Sequence, residues 1–146
     1  MRNRVFLSYS HEDRPLAQFL SQELKSHDLE VWTDEQINPG EIWDNAILNA
    51  LRSSDIYLPL LSFHFMDSDW NIAEVGAAYG MDKDILPVLL SGDLKVMPFK
   101  FREYQFLDAR SMGKYELASK VLELIAQKPS RHTKSAGKSE SASRFS

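Results

Sequence analysis

The chain has 146 residues, 43% of them hydrophobic and 26% charged, with a formal charge of −4 and no cysteine. These values describe one globular domain large enough to bury about two-thirds of its unfolded surface, and they exclude disulfides, thiolate metal sites and a cysteine nucleophile. No apolar run approaches the ~20 residues of a membrane-spanning helix, no signal-peptide core follows Met1-Arg2-Asn3-Arg4, and no basic stripe offers a footprint for nucleic acid.

Short apolar runs alternate with helix-like periods. Arg4-Val5-Phe6-Leu7-Ser8 reads as a first strand. Leu16, Phe19, Leu20 and Leu24 then recur at helical spacing, with Pro15 suited to a first turn and Ser10-x-x-Asp13 to a capping start. Glu30 to Thr33 reads as a second strand, and Asn38-Pro39-Gly40 as a loop. Ile42, Ala46, Ile47, Ala50 and Leu51 share one face of a second helix. Asp55 to Ser62 reads as a third strand in which Pro59, lacking an N–H, predicts an end or a bulge. Ser68 to Tyr79 is a helix rich in small residues. Ile85 to Leu90, with Pro87 near its start, is a fourth strand, and Tyr104 to Leu107 a shorter fifth. Between them, residues 91 to 103 read as mostly irregular. Leu117, Val121, Leu124 and Ile125 form the last helix face.

This alternation predicts a three-layer α/β fold: a five-stranded, mainly parallel sheet in the order 2-1-3-4-5 with helices on both faces. The domain is expected over residues 1–128. Residues 129–146 follow as a Ser/Lys-rich tail or linker with too little apolar content to offset its ordering entropy.

A sheet of this kind binds ligands beyond the carboxyl ends of its strands, where the strand order reverses. Here that point lies between strands one and three, so Ser8-Tyr9-Ser10-His11 and Ser62-Phe63-His64-Phe65 are expected to meet. The helix after the second segment carries Trp70 and Glu74, four residues apart and hence on one face. An aromatic plate beside a carboxylate suits a ribose or a flat base. Each of these residues has a plainer reading too. Glu74 also fits a solvated helix position, Trp70 also fits the core, and Ser8 and Ser10 also fit turns or caps. Asp34 fits a turn cap as well as a pocket contact, and His11 fits an exposed loop. There is no Gly-rich phosphate loop. His11, His27, His64 and His132 are scattered rather than paired for a metal, and the first strand lacks the paired acids of a phosphoacceptor site.

Four segments carry a family resemblance. Val5-Phe6-Leu7-Ser8-Tyr9-Ser10-His11-Glu12-Asp13 resembles the opening box of TIR domains. Val31-Trp32-Thr33-Asp34, followed by Pro39-Gly40 and Ile42, resembles their second strand and BB loop. Ser68-Asp69-Trp70-Asn71-Ile72-Ala73-Glu74 resembles the Ser-x-Trp-x-x-x-Glu stretch, and Ile85-Leu86-Pro87-Val88 the fourth strand. The resemblance spans nearly all of residues 1 to 127. Two departures stand out: Asn71 occupies a position that is often Cys, and the late Phe-Trp box of animal receptors is absent, with Phe99-Lys100-Phe101 and Tyr104-Gln105-Phe106 in that region. Both favour a bacterial-type or otherwise divergent member.

The resemblance implies a flavodoxin-like fold in a cytoplasmic protein of immune or defence signalling, and one of two roles. One is an NAD nucleosidase that cleaves the nicotinamide–ribose bond and releases ADP-ribose or a cyclic variant of it. The other is a non-catalytic scaffold working by TIR–TIR assembly. For the enzyme, the resemblance implies Glu74 as the catalytic group and Trp70, Ser8, Tyr9, Ser10, Asp34 and Ser68 as substrate contacts. NAD is then a substrate, and no cofactor or metal is expected. For assembly it implies the loop at Pro39 and Gly40 with Trp43 at its edge.

Overall fold

The computed structural model describes residues 4–33, 43–67, 69–93 and 106–127. Asp34, Pro39, Gly40, Ser68 and the tail beyond residue 129 therefore lie outside the described residues, as do the side chains of Trp43 and Trp70.

Elements follow in the order β1 (Arg4–Ser8), a 3-10 turn (His11–Asp13), α1 (Arg14–Lys25), β2 (Glu30–Trp32), α2 (Trp43–Ser53), β3 (Ile56–Leu61), α3 (Phe63–Met66), α4 (Asp69–Gly80), β4 (Asp84–Ile85), β5 (Val88–Leu89), β6 (Leu107–Asp108) and α5 (Lys114–Ala126). Every described strand pairing is parallel. The sheet runs β2-β1-β3-β5-β6, with β4 paired to β3 just ahead of β5. The expected order 2-1-3-4-5 is thus present, with the fourth strand divided into β4 and β5.

Period-two alternation assigns each strand residue to one of two cores. Val5, Leu7, Ile56, Leu58 and Leu60 face α1 and α5, where Ala17, Leu20, Leu24, Leu117, Val121 and Ile125 close over them. Phe6, Tyr57 and Leu61 face the other way, against Ile47, Ala50 and Leu51 of α2, Phe65 of α3, and Val75 and Ala78 of α4. β3 is buried at all six positions, as a central strand covered on both sides must be.

Pro59 corrects the expectation of an end or a bulge. β3 continues through it in unbroken register with β1, from Val5 opposite Ile56 to Ser8 opposite Pro59. The reason lies in which edge position 59 faces. The carbonyls of Tyr57 and Leu61 accept from Leu86 N at 2.9 Å and Leu90 N at 2.7 Å, so by alternation residue 59 faces the same neighbouring strand. That is where Leu86 and Pro87 separate β4 from β5. The missing donor meets the gap, and the interruption falls on the fourth strand instead of the third.

The start of α1 also differs from expectation. Pro15 sits in its first turn, but neither Ser10 nor Asp13 makes a side-chain cap bond. Ser10 Oγ donates to Glu12 Oε1 at 2.5 Å, and Asp13 Oδ2 accepts from Ser62 Oγ at 2.6 Å. Both side chains are taken up by bonds other than the helix cap. The expected helix from Ser68 to Tyr79 is observed as Asp69–Gly80. Of the expected fifth strand, residues 104 and 105 lie outside the described residues, and the described part is Leu107–Asp108.

Candidate active site

Glu74 sits in the middle of α4, on the face it shares with Ala78 one turn later. Ala78 is wholly buried, and Glu74 is only 9% exposed, so the helix turns this carboxylate toward the sheet and not toward solvent. A buried carboxylate is costly unless donors surround it. The sheet supplies two. Ser8, the last residue of β1, donates its hydroxyl to Glu74 Oε1. Tyr57 of β3 donates to the same oxygen at 3.2 Å.

The strand register explains this convergence. Ser8 pairs with Pro59 and Phe6 with Tyr57, so Ser8 and Tyr57 are diagonal neighbours on one face of the sheet. The length of the tyrosine spans the diagonal and brings both hydroxyls to one point. Tyr57 is wholly buried, with its ring 5.6 Å from that of Phe6. Burial first, and then the adjacent Glu74 charge, push its phenol well above the ordinary range, against the opposing Ser8 hydrogen bond. The phenol therefore remains a donor throughout the neutral range.

The two loops expected at the switch point do meet. Ser62 Oγ bonds Asp13 Oδ2 and accepts from Phe65 N at 3.1 Å, capping α3. Beside them the Ser10 hydroxyl, followed by Glu12's own backbone N–H, holds the Glu12 carboxyl below its usual range, helped by nearby His64 and His11. His11 is exposed, with Nδ1 3.1 Å from Arg14 Nη2.

The residues expected to contact substrate separate into groups. Ser8 joins Glu74. Ser10 is buried nearby in sequence but bonds Glu12. Tyr9 is not brought to Glu74, because alternation turns it to the opposite face of the sheet. There it packs with the α1 core and, with Gln18, Ser21, Gln22, Lys25 and Thr33, lines a separate cavity of about 490 Å³. Trp70 lies on α4 one turn before Glu74. Tyr57 belongs to the site but carries no motif. The one signal for it is a tyrosine within a continuous apolar strand, where a buried hydroxyl requires a partner. No group of three or more His, Asp or Glu among the described residues is arranged to hold a metal ion.

Comparison with known proteins places this geometry in a family. The TIR domain of a Toll-related receptor from Hydra magnipapillata superposes with a TM-score of 0.70, at 17% identity over 85% of this chain and 98% of that one. The TIR domains of the activated Roq1 resistosome, which directly recognises the pathogen effector XopQ, superpose with a TM-score of 0.59. They are 18% identical, over 84% of this chain and 71% of that one. A CMP N-glycosidase from Clostridium botulinum gives 0.61, at 17% identity over 81% of this chain and 97% of that one. In sequence, an uncharacterized protein of Sinorhizobium fredii is 37% identical over 70 residues, or 45% of this chain. The match spans about a fifth of that relative (22% of its length). No helix among the described residues is long and apolar enough to cross a membrane. The family model for the TIR domain matches residues 5–124, and the chain belongs to that family.

Proposed function

We propose that this TIR domain is an NAD nucleosidase in which Glu74 is the catalytic residue. One observation carries the reading: a buried carboxylate stands at the carboxyl end of β1 and beside β3, held by two hydroxyl donors from the sheet. The bond to be broken joins ribose C1′ to the pyridinium nitrogen of nicotinamide. Its electron pair leaves with the nitrogen, so the positively charged ring departs as neutral nicotinamide and needs no proton. The positive charge moves to the ribose as an oxocarbenium ion. Water adds at C1′ and loses a proton to give ADP-ribose; attack by an atom of the same molecule gives a cyclic product. Glycosidases acting on uncharged linkages, whose leaving group would otherwise depart as an alkoxide, use a second carboxyl group as the acid. Here one carboxylate, binding ribose hydroxyls and facing the developing charge, is enough.

The Clostridium botulinum neighbour, named for cleaving an N-glycosidic bond of CMP, supports this bond class for the fold. CMP is the weaker candidate substrate here, because cytosine leaves with a negative charge unless it is protonated. Assembly through the loop at Pro39 and Gly40, in a cytoplasmic defence response, belongs to the same proposal, as does contact of Trp70 with the substrate.

The test is incubation of concentrated or surface-clustered protein with NAD and, separately, CMP, followed by product analysis. Nicotinamide release is expected from NAD. Glu74→Gln removes the charge while keeping the size, and is expected to lower the rate on the order of a hundredfold, about 3 kcal/mol. Glu23→Gln on α1 is expected to stay within about twofold. A Glu74→Gln protein as fast as the parent would remove Glu74 from the chemistry. A clustered parent that never cleaves NAD would leave the domain as an assembly module.

A further inference from the structure

We infer that Tyr57 and Ser8 are positioning residues, forming a two-donor clamp on a single oxygen of Glu74 that sets the carboxylate's orientation toward the ribose. The inference rests on the reading of Glu74 as the group that meets the substrate. Both hydroxyls reach Oε1, so together they fix the rotation of the carboxylate about its last bond. Two donors from separate strands restrain it more than one does.

Both donors stand on the rigid part of the fold. Ser8 ends β1, Tyr57 lies inside β3, and these strands are paired over four consecutive residues. Tyr57 is further fixed by its burial and by Phe6. The clamp thus comes from strands buried from Val5 to Ser8 and from Ile56 to Leu61, whereas Glu74 comes from a helix packed on them. A site built on strands holds its geometry more closely than one built on loops. The division of labour is plain: α4 brings the charge, and the β1–β3 pair aims it.

The clamp also selects the ionised form. Two O–H donors on one oxygen stabilise the carboxylate and not the acid. Tyr57 remains protonated, so its role as donor persists across the pH range of the reaction. Removing either donor should therefore change two things at once: how well the carboxylate is aimed, and how readily it ionises. A packing role would change neither in this combination.

The experiment uses the full chain and the variants Tyr57→Phe, Ser8→Ala and Ser8→Thr. With clustered protein and NAD, Tyr57→Phe is expected to lower kcat about tenfold, the effect of one hydrogen bond to a charged group, with KM within about twofold. The acid limb of the pH–kcat profile should move to higher pH. Ser8→Ala should behave alike, and Ser8→Thr should restore most of the rate. In parallel, carbon-13 NMR follows the side-chain carboxyl of Glu74 without NAD. Its titration midpoint is expected to rise in Tyr57→Phe and in Ser8→Ala.

A rate that falls equally at every pH, with an unmoved midpoint and a lower Tm, would assign Tyr57 to packing and overturn the clamp. Superimposable profiles and midpoints would overturn it as well. If the parent does not cleave NAD, the nucleosidase reading fails by itself, and the NMR arm still decides whether the two hydroxyls control Glu74.

Discussion

Asp108 and Glu74 show how differently a carboxylate behaves at the surface and in the interior. Asp108 at the end of β6 takes two guanidinium bonds from Arg110, at 2.9 and 2.8 Å, and the Arg110 backbone N–H at 3.2 Å. Chiefly the Arg110 side-chain bonds, then its backbone bond, hold Asp108 at about 2 against an ordinary 3.8. The folded value lies below the unfolded one, so the pair's contribution is present above pH ~4 and is lost as pH falls through about 2. Both side chains are about half exposed, so solvent screening keeps that contribution small. Arg110→Ala is expected to return the Asp108 midpoint toward 3.8 with little change in Tm. Asp108 titration followed by NMR checks this; a midpoint unmoved near 2 would show that Arg110 is not the cause. Glu74, by contrast, is almost enclosed, and two neutral hydroxyl donors from the sheet reach it. Charge partners suffice at the surface; in the interior, the arrangement of donors decides what the group can do.

At the scale of elements, the chain makes its turns with a few specific residues. Gly92 follows β5 at φ +85°, a region where an L side chain costs about 1–2 kcal/mol. A Cβ there would stand 2.9 Å from Met66 Cε and 3.5 Å from the Phe63 ring. The methionine methyl can swing away, so the backbone conformation is the main cost. Gly92→Ala is expected to lower stability by about 1–2 kcal/mol in urea denaturation; an unchanged midpoint would mean that the turn relaxes to negative φ. The Gly92 carbonyl also accepts from Arg110 Nη1 at 3.2 Å, which joins the β5 and β6 turns. Phe63 N bonds Ser91 Oγ at 2.9 Å, which links α3 to the same corner. The carboxyl ends of β3, β5 and β6 are thus tied together, and those of β1 and β3 are tied at the same edge of the sheet through Asp13 and Ser62.

Over the whole molecule, two apolar cores on either side of one parallel sheet hold the fold. Leu20, Leu24 and Val121 enclose one face; Leu51, Phe65 and Val75 enclose the other. The sequence after Pro129 brings almost nothing apolar to either core: its 17 final residues, Ser130 to Ser146, hold only Ala136, Ala142 and Phe145 among mostly Ser, Lys and Arg. Truncation after residue 129 is therefore expected to shift Tm by less than about 2 °C, the equivalent of about half a kcal/mol. A loss of several degrees in a thermal scan would show that the tail docks on the domain.

The sequence by itself determined the alternation of strands and helices, the strand order and the four segments that set Ser8 and Glu74 into one family pattern. Those features are encoded locally: period two in Val5-Phe6-Leu7, helical spacing through Leu16, Leu20 and Leu24, and the motif spacing around Glu74. Tertiary structure alone decided which hydroxyls meet Glu74. Ser8 lies 66 residues away from it along the chain and Tyr57 lies 17 away, and only the register of β1 against β3 makes them diagonal neighbours. Alternation sent Tyr9 to the far face although it adjoins Ser8. Pro59 kept its place in a central strand because the strand beside it is broken where its N–H would have pointed. Local patterns record what a residue prefers; a hydrogen bond between distant residues depends on how the strands are aligned, which no short window of sequence contains.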